Sequence, residues 1–202
     1  MSEAADNEIM LAVLAAGQSR RFGDQDKLTA LLHGRMLGLH AADTLTRIAF
    51  DRRTIIASDP GHPCAIGWRA MGYDIILNEH AAEGQSASVR CAAQHAMKYG
   101  ASALYVCLAD MPYIVHQHIQ KLSRAFDDHD HQKIIASGEG DKAMPPAIFP
   151  SSEFGTLQDL QGDHGARKLL QTAYRVAAPD GSLLDIDTPQ ILATENQKNP
   201  RI

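Results

Sequence analysis

Short aliphatic runs alternate along the chain with longer segments in which apolar residues recur every three or four positions. Ile9 to Ala15 is the first run and stops just before the turn at Gly17; its lack of polar alternation predicts a strand buried on both faces. Thr54 to Ala57, Tyr73 to Leu77, Ala103 to Leu108 and Lys133 to Ala136 repeat the form. Between them, Met36 to Ile48, Ser86 to Lys98 and Val115 to Phe126 carry helical spacing. Parallel strands need long crossover connections, so this alternation predicts an α/β fold: a mostly parallel sheet with helices on both faces. From about Met144 the pattern shifts to a Pro-rich strand candidate, PPAIFP, a short helix, the polar turn QGDHG and a helical segment Ala166 to Ala173. Tyr174 to Ala178 and Leu183 to Ile186 read as further short strands, and Thr188 with Pro189 as the start of a last helix. A polar tail from about residue 194 is expected to fray.

At 202 residues with 45% hydrophobic and 21% charged content, the chain is expected to form one domain, 1–202, around one substantial core. No apolar run reaches the roughly 18 to 20 residues that cross a bilayer, and MSEAADNEIM has neither a basic start nor a signal-like apolar stretch, so a soluble, cytoplasmic protein is expected. The formal charge of -5 gives no general attraction to nucleic acid or to an anionic membrane, and neither is expected as a partner. Any phosphate must therefore be held locally. The three cysteines, Cys64, Cys91 and Cys107, are far apart and lack a CxxC pair, which predicts buried thiols rather than disulfides or a thiolate metal site. His116 with His118, and His129 with His131, lack further ligands at metal-binding spacing and are read as surface histidines.

LAAGQSRRFGDQDKL, residues 14–28, follows the first strand directly. Gly17 and Gly23 free the backbone to turn N–H groups toward a ligand, Ser19 adds a hydroxyl, and Arg20, Arg21 and Lys27 add cationic donors. In an open α/β sheet a loop at the carboxyl end of a strand is where such a ligand binds. The Walker and GxGxxG phosphate patterns are both absent. Asp110 ends the apolar run ALYVCLA, beside the expected phosphates; it reads either as a Mg²⁺ ligand or as a helix cap. In LLDIDTPQIL, Asp185 and Asp187 share one face if the segment is extended, with Ile186 on the other. A turn and cap before the last helix is the alternative there. Ser86, Ser88 and Arg90 lie at a helix start in EGQSASVR, either as ligand contacts or as a plain cap with a surface arginine.

LAAG, then Ser19, Arg21, Gly23 and Lys27, resembles the LAAGxSxRxGxxK signature of the molybdenum cofactor nucleotidyltransferases. ADMP is similar to the DxP motif of that family, LLDIDTP to its DIDTP segment, EGQSASVR to GxSxSLR and GDHGAR to GDxGAR. The resemblance spans about residues 10–192. It implies a single Rossmann-like domain of the nucleotide-diphospho-sugar transferase type, with Leu14, Ala15, Ala16, Gly17, Ser19, Arg20, Gly23 and Lys27 on the triphosphate. It also implies Ser86, Ser88 and Arg90 on base and ribose, and Gly162, Asp163, Arg167 and Lys168 on the acceptor. Lys27, Arg21 and Asp110 become the catalytic set, and Asp110, Asp187 and Asp185 the Mg²⁺ ligands. Ala16 resembles the cytidylyltransferase branch, where the guanylyltransferase branch usually has glycine, which implies CTP and a molybdopterin acceptor, with a molybdoenzyme or its chaperone as a partner. The chain departs from the family at Met36, usually proline, at Ala143, usually glycine, and after Pro189, where acids are common. GTP or another NTP, a different phosphorylated acceptor, and a non-catalytic carrier of the cofactor are the competing expectations.

Overall fold

The computed structural model describes residues 8–17, 20–23, 25–161 and 165–198, and of residues 20 and 165–167 the backbone alone. The chain runs β1 (Ile9–Leu14), β2 (Leu31–Leu32), β3 (Arg35–Met36), α1 (His40–Leu45), β4 (Arg52–Ala57), α2 (Ala65–Ala70), β5 (Asp74–Leu77) and α3 (Gln85–Lys98). It continues β6 (Ala103–Leu108), α4 (His116–Asp127), β7 (Ile135–Glu139), β8 (Lys142–Pro150), α5 (Phe154–Gln158), α6 (Gly165–Leu170), β9 (Tyr174–Ala177) and α7 (Pro189–Gln197). Seven strands form one sheet in the order β5-β4-β1-β6-β8-β7-β9. β1 pairs in parallel with β4 and β6, β4 with β5, and β7 with β9, while β8 runs antiparallel between β6 and β7.

Both faces of this sheet are covered, which is why β1 reads as an unbroken apolar run. Leu11 and Val13 join Ile55, Tyr105, Trp68 and Ile119 on one face; Met10, Ala12 and Leu14 join Ile56, Val106, Val89, Ala92 and Phe154 on the other. Burying each large aliphatic side chain is worth about 1.5–3 kcal/mol, so the period-2 alternation of β1 ties both helix layers to one strand. A smaller cluster of Phe22, Leu32, Leu37 and Ile186 lies apart from these two. It joins the loop after β1, the β2–β3 hairpin and the segment before α7.

Several expectations need correction. Met36 to Ile48 is not one helix: Met36 belongs to the hairpin, and α1 starts only at His40. His33 at φ 50 and Gly34 at φ +81 place both turn residues in the left-handed region, as a tight two-residue hairpin requires. Leu183 to Ile186 joins no ladder, although Ile186 N–H donates to the Asp110 carbonyl at 2.9 Å. β8 absorbs two prolines by a register shift: Ala136 faces Ala147 and the next residue, Ser137, faces Met144, so Pro145 and Pro146 stand outside the pairing. Proline has no N–H to give a ladder. The tail is helical to Gln197, and Glu195 is buried because Asn196 fastens this turn to Leu31 and His33. His118 is not a surface residue; it is buried and donates through Nε2 to Ser137 Oγ at 2.8 Å, and burial, then Lys121, pushes its pKa down to about 4. All three cysteines are buried free thiols. Among the described residues no helix is long and apolar enough to cross a membrane.

Candidate active site

The chain leaves β1 to form β4 and β5 on one side of it, then returns to place β6 on the other side. The carboxyl ends of β1 and β6 thus flank a topological switch point, where crossovers diverge and open a crevice. A cleft of about 370 Å³ lies there, lined by residues from the ends of β1 and β6, from the loop before α3, and from the segment before α7. Ala109 N–H donates to the Leu14 carbonyl at 3.1 Å, which binds the two strand ends together at its floor.

Lys27 and the acids meet in this cleft. The Lys27 ammonium donates to Asp110 Oδ2 and, at 2.8 Å, to Asp187 Oδ1. Arg21 Nη1 lies 3.1 Å from Asp187 Oδ2. Burial works against a charge on Lys27, but attraction by Asp110, with the hydrogen bonds to both acids, outweighs it and raises the amine pKa. For Asp187 burial raises the pKa, and the Lys27 hydrogen bond, with the Lys27 and Arg21 charges, more than reverses it, so the carboxyl is held below its usual range. Asp185 goes the other way: burial, then repulsion from Asp187 and Asp110, raises it. Among the described residues around Lys27, three carboxylates thus face two cations, an arrangement that a further cation would relieve.

Local structure explains the placement. Asp110 is not a helix cap, since α4 begins after Val115 without any side-chain cap. Asp187 is not one either; Thr188 caps α7, its Oγ1 accepting from Ile191 N–H. Ile186 is fully buried against Phe22, Leu32 and Leu37, which turns its neighbours Asp185 and Asp187 outward into the cleft. Asp110 Oδ1 is buried and has no hydrogen-bond partner among the described residues. Among those residues no three acids, histidines or cysteines form a ready-made metal cage. A site of one or two carboxylates with an orphaned oxygen suits Mg²⁺, which takes its other ligands from phosphate and water.

Leu14, Ala15, Ala16, Gly17, Arg21, Lys27, Ser88, Asp110, Asp185 and Asp187 all line the cleft. Gly23 does not line it but holds φ +80, and so turns the chain between Arg21 and Lys27. Ser86 is buried and outside the lining. Arg90 is directed elsewhere: its guanidinium donates to Glu83 Oε2 and, at 2.7 Å, to the Leu160 carbonyl, joining the loop before α3 to the loop after α5. Lys168 is exposed and does not line the cleft. Ser19, Gly162, Asp163 and the side chains of Arg20 and Arg167 lie outside the described residues. Sequence reasoning missed Ala81, Ala82 and Gln85, which also line the cleft as part of its wall before and at the start of α3. The glycine at position 84, just before the helical spacing of 86–98, was the available signal for that wall; in the structure it holds φ 100 between two helical turns.

Residues 11–178 match the MobA-like NTP transferase domain. The purine catabolism protein PucB of Bacillus subtilis is 29% identical over 192 residues, covering 88% of this chain and 90% of that protein. A protein of Pyrococcus horikoshii named probable molybdenum cofactor guanylyltransferase is 36% identical over 72 residues, 36% of each chain. Rv0371C of Mycobacterium tuberculosis, solved in complex with manganese, superposes with a TM-score of 0.68 at 22% identity, over 95% of this chain and all (100%) of that one; it shares the fold. With the family's domain matched over residues 11–178, from β1 through β9, the chain belongs to the MobA-like NTP transferases and is a nucleotidyltransferase.

Proposed function

We propose that this single-domain enzyme transfers CMP from CTP to the terminal phosphate of molybdopterin, releasing pyrophosphate, with Mg²⁺ as its metal. The observation that carries the reading is the meeting of Lys27, Asp110 and Asp187, residues from three distant parts of the chain, at the switch point beside the Gly17 turn. An acceptor phosphate oxygen attacks the α-phosphorus of the nucleotide in line; the new P–O bond forms as the bond to the β-phosphate breaks, and pyrophosphate carries the charge away. Lys27 and Arg21 neutralise the phosphates, and the β1 loop through Gly17 brings its backbone against them. Gly84, Gln85 and Ser88 form the wall facing the nucleoside. Asp110, through its unpaired Oδ1, and Asp187 would hold the metal, with Asp185 close by. Bound there, Mg²⁺ supplies charge withdrawal from the reacting phosphate and the leaving pyrophosphate. Arg167 and Lys168, with Gly162 and Asp163 shortly before them in the sequence, serve the acceptor.

Ala16 favours CTP, and the Pyrococcus relative, named for guanylyl transfer, is the specific reason to keep GTP as the second reading. Incubating the chain with Mg²⁺, molybdenum-loaded molybdopterin and each NTP in turn, and measuring pyrophosphate with the product mass, separates the two. A CMP adduct is expected, and a GMP adduct would transfer the reading to GTP. Asp110→Asn is expected to cut pyrophosphate release by about 10²-fold or more with the fold retained, the scale of losing a preorganised charge at a reacting centre. Turnover of that variant near the wild-type rate would remove Asp110 from the metal site.

A further inference from the structure

Lys27 stands on a single 3-10 turn, Lys27–Thr29, too short to fix a long side chain by itself. Asp26 caps that turn: its Oδ1 accepts from Leu28 N–H at 2.8 Å, and its carbonyl accepts from Thr29 N–H at 3.1 Å and Thr29 Oγ1 at 2.8 Å. The other carboxylate oxygen of Asp26 lies 2.7 Å from His62 Nε2. His62 comes from the loop before α2 and does not line the cleft.

The tautomer of His62 follows from its second nitrogen. Nδ1 accepts from the Cys64 backbone N–H at 3.0 Å, so the ring proton sits on Nε2 and is donated to Asp26. The ring is buried and stacks on Trp68, centroids 5.1 Å apart and planes 18° from parallel. Trp68 is itself fully buried and anchored by Nε1 donating to the Gly38 carbonyl at 2.8 Å. Cys64 Sγ donates to the Leu28 carbonyl at 3.4 Å. The loop before α2 therefore grips the Lys27 turn from behind at two points, the Asp26 carboxylate and the Leu28 carbonyl.

We propose that His62 is a positioning residue of this enzyme: locked as the Nε2–H tautomer by the Cys64 amide and held flat by Trp68, it fixes Asp26 and thereby aims Lys27 at Asp110 and Asp187. The inference rests on the proposed function only in taking Lys27 as a phosphate-gripping residue; the orientation of Lys27 can be read without any turnover.

Two substitutions of equal length separate the donor from the bulk. In His62→Gln an amide N–H replaces the Nε2 donor, whereas in His62→Met the space is filled without one. The first readout is the rate at which an amine-acylating reagent modifies Lys27, followed by peptide mass spectrometry and normalised to the exposed Lys142 and Lys168. Loss of the donor is expected to speed Lys27 modification about threefold or more in H62M and to leave H62Q within about twofold of wild type, because a freed side chain samples solvent. The second readout is pyrophosphate release with Mg²⁺, CTP and molybdopterin: kcat is expected to fall roughly 10- to 100-fold in H62M and to be largely recovered in H62Q, the usual scale for losing an outer support of a reacting group. Equal Lys27 modification rates in H62M and H62Q would overturn the proposal. Should H62M fail to fold, Asp26→Ser keeps a capping hydroxyl for Leu28 and gives up the partner of His62. It is expected to expose Lys27 to the same degree, and a wild-type rate there would equally overturn the proposal. If the wild-type chain turns over no NTP with any acceptor, the proposed function fails while the labelling comparison still decides the role of His62.

Discussion

Methionine at position 27 keeps most of the length of the lysine and deletes its charge, so Lys27→Met isolates the electrostatic part of the cleft. In the folded chain the ammonium binds Asp110 and Asp187 with 12% of its side chain exposed, against 16% and 22% for the acids. Each hydrogen bond between charged groups is worth about 1.5–3 kcal/mol, but water reaches all three groups and screens part of the attraction. A net destabilisation of about 2–3 kcal/mol at neutral pH results, below the roughly 3–5 kcal/mol of a fully buried pair. For a chain of this size that lowers the unfolding midpoint by about 4–12 °C. The pH dependence has a definite sign. The Lys27 pKa is raised from 10.5, so its stabilisation is complete below that value and is lost as the pH rises through the folded value; the two midpoint curves should converge in strong alkali. They should also approach each other in acid, as Asp187 protonates. Mg²⁺ should raise the midpoint of the variant more than that of the wild type, because the ion replaces the missing charge between the acids. Calorimetric unfolding across pH, with and without Mg²⁺, measures all of this. A variant within about 1 °C of wild type at neutral pH, indifferent to Mg²⁺, would show that the cleft charges are too well solvated for the reasoning to hold.

Gly23→Ala adds a methyl that meets no heavy atom of the described residues within 4 Å, so its cost is taken from the backbone at φ +80. About 1–2 kcal/mol is expected for a non-glycine residue there, a midpoint loss of roughly 2–8 °C, and an unchanged thermal midpoint would contradict the strain argument. The two acids around Ile186 should respond with opposite signs. Asp187 has a lowered pKa, so its stabilisation is present above 3.8 and is lost as the pH falls through its folded value; Asp187→Asn should destabilise the chain at neutral pH. Asp185 has a raised pKa, so its ionised form costs stability above that value, and Asp185→Asn should raise the midpoint at neutral pH. Midpoints that move in the same direction for both asparagine variants would break this assignment.

Much of the fold was legible in the chain. The five aliphatic runs all became strands of the sheet; β1 and β6, covered on both faces, are apolar at every position, whereas the edge strand β5 is only partly covered. The hairpin at His33–Gly34 escaped notice because its strands are two residues long and lie inside a segment with helical spacing. His118 escaped because its hydrogen bond is made to Ser137, on a strand that packs against α4 from far along the chain. Within the cleft, Asp110 was marked by its position just past the end of β6, and Lys27 as a cation of the glycine-containing loop that follows β1. The redirection of Arg90 was not, since its acceptors are a carbonyl 70 residues away and Glu83 in the preceding turn.

By itself the sequence determined the five aliphatic strands of the sheet, the glycine-bearing loop after the first of them, and the acid that ends β6. These are matters of local periodicity, glycine freedom and residue chemistry, all readable within a dozen neighbours. Which groups meet was decided only by the tertiary structure. Lys27 reaches acids 83 and 160 residues away because strand order, rather than chain order, sets the neighbours at the edge of a sheet. Ile186 turns Asp185 and Asp187 into the cleft because burying that one side chain leaves its flanking residues no other face.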